Sequence, residues 1–473
     1  MREDPSDGSA VPPGRSLPAG QTLPAPVPPR APLPLFEFFR VLRGNMIATY
    51  PEEAYESEII DRKIFGRHRF LVSQPAAIKQ VLLDNAAGYR KTEITRRLLE
   101  PGLGRGLVTS EGDTWRQHRR TMSPSFDHRS IVSYVPIMSG AAEELAADWG
   151  RPGAGAVDVS VDMMKVTLQI IARTMFSTDS ETMLSIIERG AARYQAQMRP
   201  NLMDFLDLPA WLAGLPRSRV ADRALGEFDV EIDRLIRARS RERGDGRADL
   251  LGRLLAARDE QTGGRMTARE VRDHVITIFM AGHETTAMAM TWVWFLLSRH
   301  PRAEESLHAE LAAVLGGRPP REEDLVRLTY TRMVIEESMR LYPPVHTIAR
   351  EALADDVILG RKVPKGSTVL IVPWVLHRHR LLWTNPDAFI PERFGAEQCA
   401  SRPRFSYLPF GGGRRICIGA AFAMAEATIL LATLAQRHRL QLVAGHPVEP
   451  LGLITLRPRN GMRMVPTPRS LAG

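Results

Sequence analysis

In this chain of 473 residues the side chains fit for chemistry cluster in a few short stretches. The most telling is Phe410-Gly411-Gly412-Gly413-Arg414-Arg415-Ile416-Cys417-Ile418-Gly419. Three consecutive glycines let the backbone turn tightly and come close to a flat ligand, since no Cβ intervenes. The sequence places Cys417 where a helix starts, so backbone N–H groups and the helix dipole favour thiolate over thiol. A thiolate shielded and hydrogen-bonded by backbone is a suitable axial ligand for iron, and Gly419 leaves room for a ring beside it. A lone cysteine in an apolar stretch is ordinarily a small core residue. The frame F-x-x-G-x-R-x-C-x-G around Cys417 reverses that reading.

That frame resembles the haem-binding signature of the cytochrome P450 family at every fixed position. Other stretches then match in order. Glu337-Ser338-Met339-Arg340 resembles the family's E-x-x-R, with both charges on one helix face. Pro391-Glu392-Arg393-Phe394 resembles the meander motif. The resemblance implies a structural network of Glu337, Arg340 and Arg393 that serves folding and haem retention. Ala281-Gly282-His283-Glu284-Thr285-Thr286 is poor helix design, with a glycine, an acid and two hydroxyls in mid-helix. It is similar to the family's oxygen-activation pattern. Gly282 is expected to clear a groove for O2 beside Ala281, Thr285 to hydrogen-bond oxygen or water, and Glu284 to relay protons. His283 is expected to be a packed wall residue. Trp115 and Arg119, one turn apart, resemble the family's W-x-x-x-R. With Arg350 and Arg415 they are the expected partners of the haem propionates, and His377 is a weaker candidate. The cofactor-binding set implied is Trp115, Arg119, Ala281, Gly282, Arg350, Phe410, Gly411, Gly413, Arg415, Cys417 and Gly419, with Cys417 on the metal and Glu284 and Thr285 catalytic.

These residues need a scaffold. Residues 69–73 read as a strand, and Pro75 opens a helix to Leu83. Trp115 to Met122 reads as helix, and helical patterns fill most of 132–255. A long helix from about Thr267 to His300 carries a capping signal, Thr267 with Glu270 three residues on, and stops at Pro301. Another runs from about Asp324 to Leu341. A strand follows at 369–372, then an irregular meander over 383–394 and a last helix from Cys417 to about Gln436. There is no internal repeat. Ten of the 35 prolines precede Leu35, so residues 1–34 read as a disordered Pro-rich leader and 35–473 as one large domain. The expectation is a mainly α fold with minor β, the cytochrome P450 fold, with haem between the long helix and the cysteine loop.

Bulk properties narrow the class further. Two cysteines exclude a disulfide scaffold or a four-cysteine zinc site and suit a reducing cytoplasm. No apolar run is long enough to span a bilayer. Net charge is +9, and six of the 63 basic residues are lysines. These charges are spread along the chain with no groove-reading motif, which argues against nucleic acid. The stretch 237–247, rich in arginine, reads as a solvated loop. An acidic electron carrier docking near Arg116, Arg120 and Arg414 explains the surplus better. The resemblance implies haem b (iron protoporphyrin IX), O2 as co-substrate, NAD(P)H acting through a ferredoxin or flavodoxin and its reductase, and a monomer. Apolar walls are expected from residues 90–108, 195–215 (with Met198 and Met203), 278–286, 345–348 and 451–454. They suit a fatty acid, terpenoid, polyketide or aromatic compound. Rival readings are a peroxygenase, a haem-thiolate isomerase or dehydratase, and a haem or gas sensor. The Glu284-Thr285 pair argues for monooxygenation.

Overall fold

The computed structural model describes residues 23–469 except 154, 180, 198–203, 205–209, 242–248, 259–262 and 264. In chain order come α1 (Leu35–Gly44), the hairpin of β1 (Ile59–Ile64) and β2 (Arg67–Val72), β3 (Tyr89–Arg90), α2 (Gly112–Met122), α3 (His128–Trp149), α4 (Val159–Phe176) and α5 (Ala210–Arg241). The second half holds α6 (Ala268–Arg299), α7 (Thr329–Leu341), β4 (Ile348–Ala352), β5 (Thr368–Ile371), α8 (Ala420–Arg437) and the hairpin of β6 (Pro450–Gly452) and β7 (Leu456–Pro458). Further helices, short strands and turns connect them.

Helix α6 is the axis of the molecule. Its capping box closes as expected: Thr267 accepts from the Glu270 backbone at 3.2 Å, and Glu270 accepts from the Thr267 backbone at 2.8 Å. Pro301 opens the next helix, which forces the chain to turn there. Nearly every side chain from Val271 to Leu297 is buried on all sides, the pattern of a helix threaded through a core. Trp292 stacks on Tyr342 with ring centroids 4.0 Å apart. That contact ties α6 to the end of α7 and orients the charged pair that α7 carries.

One sheet runs β1-β2-β5-β4-β3, with β2 and β5 parallel and the other neighbours antiparallel. In it Arg350 lies opposite Val369, and Arg90 opposite Glu351, with which it forms an ion pair at 2.8 Å. The sheet therefore delivers Arg350 and the chain just after β3 to the same region. The fold is mainly helical with small sheets, in one domain. Among the described residues, no helix is long and apolar enough to cross a membrane.

Four expectations are corrected. Residues 23–34 are not a loose leader: Pro24 accepts a hydrogen bond from the buried Tyr342 hydroxyl at 3.0 Å, and Pro29 accepts from the Glu52 backbone at 2.9 Å. Proline-rich backbone keeps its carbonyls free to accept, which suits this role. Residues 1–22 lie outside the described ones. The arginine-rich stretch is helical through Arg241, because Arg239 reaches Asp249 at 2.9 Å in a buried pair and caps the Phe176 carbonyl. Helix α7 begins at Thr329, after a separate turn that Asp324 anchors through Arg318 at 2.6 Å. Helix α8 begins at Ala420, three residues past Cys417, with Gly419 at its N-cap.

Candidate active site

The cysteine loop is shaped by close approach. Gly411 and Gly413 have left-handed φ values of 72° and 66°. A Cβ on Gly413 would lie 1.8 Å from the Leu82 carbonyl oxygen, so no other residue fits there. The Cys417 N–H donates to the Phe410 carbonyl at 3.0 Å, closing the loop. Cys417 is exposed, yet protein atoms crowd its sulfur, so the exposed surface is that of a cleft. That burial pushes the thiol up, against the Gly419 backbone N–H and Arg119, which pull it down. Desolvation is the largest of these effects. A Cβ on Gly419 would stand 4.0 Å from the sulfur, in ordinary contact with it.

Around this loop stand four cations. Arg119 on α2 donates to the Ile416 carbonyl at 2.6 Å. Arg415 lies 4.0 Å over the Trp115 ring, donates to the Ser110 carbonyl at 2.9 Å and pairs with Glu111. Arg350 on β4 is pushed down to about 10 by burial and by Arg415. Lys91, just after β3, donates to the Val108 carbonyl. Burial, with Arg415 and Arg350, pushes it down to about 7, and Glu111 resists. Among the described residues Glu111 is the one carboxylate that acts on Lys91, Arg350 and Arg415, so the cluster carries excess positive charge. No motif marks Lys91 or Glu111. A faint signal for Lys91 is that a chain so dominated by arginine keeps a lysine there.

Above the sheet lies a cavity of about 980 Å³. Ala281, Glu284 and Thr285 of α6 line it, with Lys91, Leu98, Val108, Val345 to Arg350 and Leu453 to Thr455. Gly411 backs onto it through Ile348, 3.8 Å from where its Cβ would be. The expected walls at 90–108, 278–286, 345–348 and 451–454 thus contribute, although Leu107 and Ile278 are buried away from the space. Met198 and Met203 lie outside the described residues. Segments near α1 and β1 add walls that the sequence did not announce.

The Thr285 hydroxyl donates to the Ala281 carbonyl at 2.8 Å, the back-bonding that loosens a helix at this point. Glu284 is 3% exposed and accepts from Thr455 at 2.6 Å and from Arg457; sequence reasoning missed both partners. A Cβ on Gly282 would fall 2.1 Å from the end of the Ile171 side chain of α4, so the glycine lets α4 and α6 close together. His283 is packed, with its ring on the Phe279 carbonyl. His377 is corrected. It is fully buried and accepts from the Leu408 N–H at 2.8 Å, so it anchors the cysteine loop's approach and not a carboxylate.

Glu337 and Arg340 form a wholly buried two-point pair at 2.6 and 2.8 Å, and Arg393 joins Glu337 at 3.3 Å. Arg340 also holds the carbonyls of His377, Pro386 and Ala388 at 2.6–2.8 Å. The pair thus fixes the meander that leads to the cysteine loop.

The Cytochrome P450 family model matches residues 26–462. The chain belongs to the cytochrome P450 family. This P450 is 39% identical over 424 residues to cyclooctatin synthase of Streptomyces melanosporofaciens, covering 87% of this chain and 89% of that protein. It is 34% identical over 397 residues to cyclooctat-9-en-7-ol 5-monooxygenase of the same organism, covering 82% and 83%. Its fold matches the crystal structure of the cytochrome P450DA heme domain with TM-score 0.80 and 26% identity, covering 95% of this chain and 99% of that one.

The P450 is accordingly a haem-thiolate monooxygenase that takes O2, electrons from a redox partner and an apolar substrate. The residues present fit haem. The Cys417 sulfur is presented to a cleft, flanked by glycines where a ring needs clearance, and the surplus cations suit the two propionate carboxylates. Cys417 would hold the iron, and Arg119, Arg350, Arg415 and Lys91 the propionates. Bound haem supplies oxygen activation and the oxidation of the substrate.

Proposed function

We propose that this P450 hydroxylates a terpenoid. One oxygen atom of O2 enters a C–H bond and the other leaves as water, with two electrons and two protons consumed. The observation that carries the reading is the apolar wall of the cavity, formed by Leu98, Val108, Val345 and Leu453 beyond the Lys91 and Arg350 end that haem would share. The acid-hydroxyl pair Glu284-Thr285 faces into the cavity. The relatives named for cyclooctatin and for a cyclooctatenol support the same substrate class.

Within this reading the protein's residues have separate tasks. Leu98, Val108, Val345 and Leu453 exclude water and hold the substrate. Thr285 offers a hydroxyl to a water or oxygen at the α6 bend, and Glu284 passes protons to it. The cofactor is haem b. Electrons come from NAD(P)H through a reductase and a ferredoxin or flavodoxin, whose acidic face meets the exposed Arg116, Arg120 and Arg414. The protein acts as a cytoplasmic monomer. A panel of cyclic terpenes and terpene alcohols, screened beside fatty acids by the Soret shift and then by product analysis, tests the substrate class. Terpenoid binding with hydroxylated product is expected. Turnover of fatty acids alone would discard it.

A further inference from the structure

The acid that must move protons is held fast. Glu284 is 3% exposed, and a buried carboxylate persists only where cations and donors compensate it. Here Thr455 donates to Oε1 at 2.6 Å and Arg457 pairs with the same oxygen. A carboxylate so engaged is not available to relay protons toward Thr285.

Both holders come from the β6–β7 hairpin, and so does part of the substrate wall. Its tip, Leu453-Ile454-Thr455, lines the cavity. The base of the hairpin is pinned. Asn45 donates to the Pro450 carbonyl at 2.9 Å and accepts from the Gly452 N–H at 2.8 Å. The tip has ties of its own. The His346 ring meets the Leu453 carbonyl at 2.8 Å, and the Leu456 N–H donates to the Pro344 carbonyl at 2.9 Å. Burial pushes His346 down to about 4, so it is neutral and donates from Nε2–H. An occupant of the cavity therefore presses on the three-residue tip, which contains Thr455 and lies two residues before Arg457.

We propose that Thr455 and Arg457 form a clamp that keeps Glu284 out of proton transfer until an apolar molecule in the cavity displaces the hairpin tip. Thr455 and Arg457 are positioning residues, acting through Glu284. The clamp ties proton delivery to substrate occupancy, and so limits O2 reduction to peroxide or water when the cavity is empty of substrate. The ligand shifts the balance by its different contacts with the two positions of the tip. This inference rests on the monooxygenase reading above.

The test uses the full-length, haem-loaded protein without substrate, reduced beforehand by dithionite together with excess surrogate ferredoxin, which holds the second electron, and then mixed with O2. Reoxidation is followed at the Soret band. Arg457→Met is expected to speed reoxidation about tenfold, the scale of a modest coupling, and Thr455→Val less. Glu284→Gln in the Arg457→Met background should remove the gain. A gain that persists without Glu284, or no gain in either single variant, overturns the clamp. A second readout needs no turnover. Saturating 4-phenylimidazole, whose azole binds haem iron and whose phenyl ring enters the cavity, should speed hydrogen exchange at the Leu453 and Leu456 amides. Unchanged exchange there, with binding confirmed spectrally, also overturns it. The carbon monoxide spectrum of each variant keeps a failure of the haem-thiolate reading separate from a failure of the clamp.

Discussion

Glu426 is a carboxyl group enclosed in the core. It sits on α8, fully buried, and neither carboxyl oxygen has a well-formed hydrogen bond. Burial pushes its pKa up from 4.5 to about 8, and the Thr286 hydroxyl opposes this only in part. The fold therefore favours the protonated form. The neutral carboxyl's contribution is fully present below pH 4.5, and stability falls as pH rises from there through about 8. Glu426→Gln should flatten that slope. Melting temperatures of variant and wild type, compared across this range, should diverge in the variant's favour as pH rises; parallel curves would show that Glu426 is relieved by some other group. Nothing in the sequence marks Glu426, since one acid in an apolar helix reads the same whether it faces water or core. Cys417 was legible because its neighbours are constrained by backbone approach, which leaves a written trace of glycines. Partners such as Thr455 and Arg457 leave none: they lie more than 170 positions from Glu284, and only the fold brings them in.

Helix pairs show what spacing can and cannot say. The capping box at Thr267 and the E-x-x-R on α7 are local patterns, fixed by helix geometry, and the sequence located both. Gly282 shows the limit, because a glycine in a helix looks the same whether the space beside it serves a ligand or another helix. The structure puts Ile171 of α4 there. Gly282→Ala should therefore overpack that contact and cost about 1–3 kcal/mol. Adding Ile171→Ala should return part of the loss, read by chemical denaturation, and should restore activity with it. Rescue of stability without activity would give Gly282 an oxygen-binding role. The α7 pair has a different signature. Glu337→Gln leaves Arg340 buried with half its compensation, a loss of about 3–5 kcal/mol. Haem content per chain should fall, while turnover per haem in the surviving fraction stays near wild type. A drop in turnover per haem at full occupancy would make the pair catalytic instead of structural.

At the scale of the whole molecule, the cofactor site is where distant parts of the chain meet. Lys91 follows a strand of the sheet, Arg119 belongs to α2, Arg350 to β4 and Arg415 to the cysteine loop, and one carboxylate, Glu111, stands among them. Burial first, and then repulsion from Arg415, depresses Lys91 and Arg350. Anything that brings two carboxylates to this place holds four regions of the fold at once, so haem binding and folding are linked. Stripping haem should lower the melting temperature, and reloading should restore it. Iron protoporphyrin dimethyl ester keeps the ring and the metal but lacks both negative charges, so it separates the thiolate's share from that of the cations. Reloading with the ester should fall short by about 1.5–3 kcal/mol for each charged hydrogen bond lost, measured as unfolding free energy. In Lys91→Met the gap between acid and ester should narrow. Equal recovery with ester and acid in the wild type would mean that these cations answer to the protein alone, and the thiolate at Cys417 would then carry cofactor retention by itself.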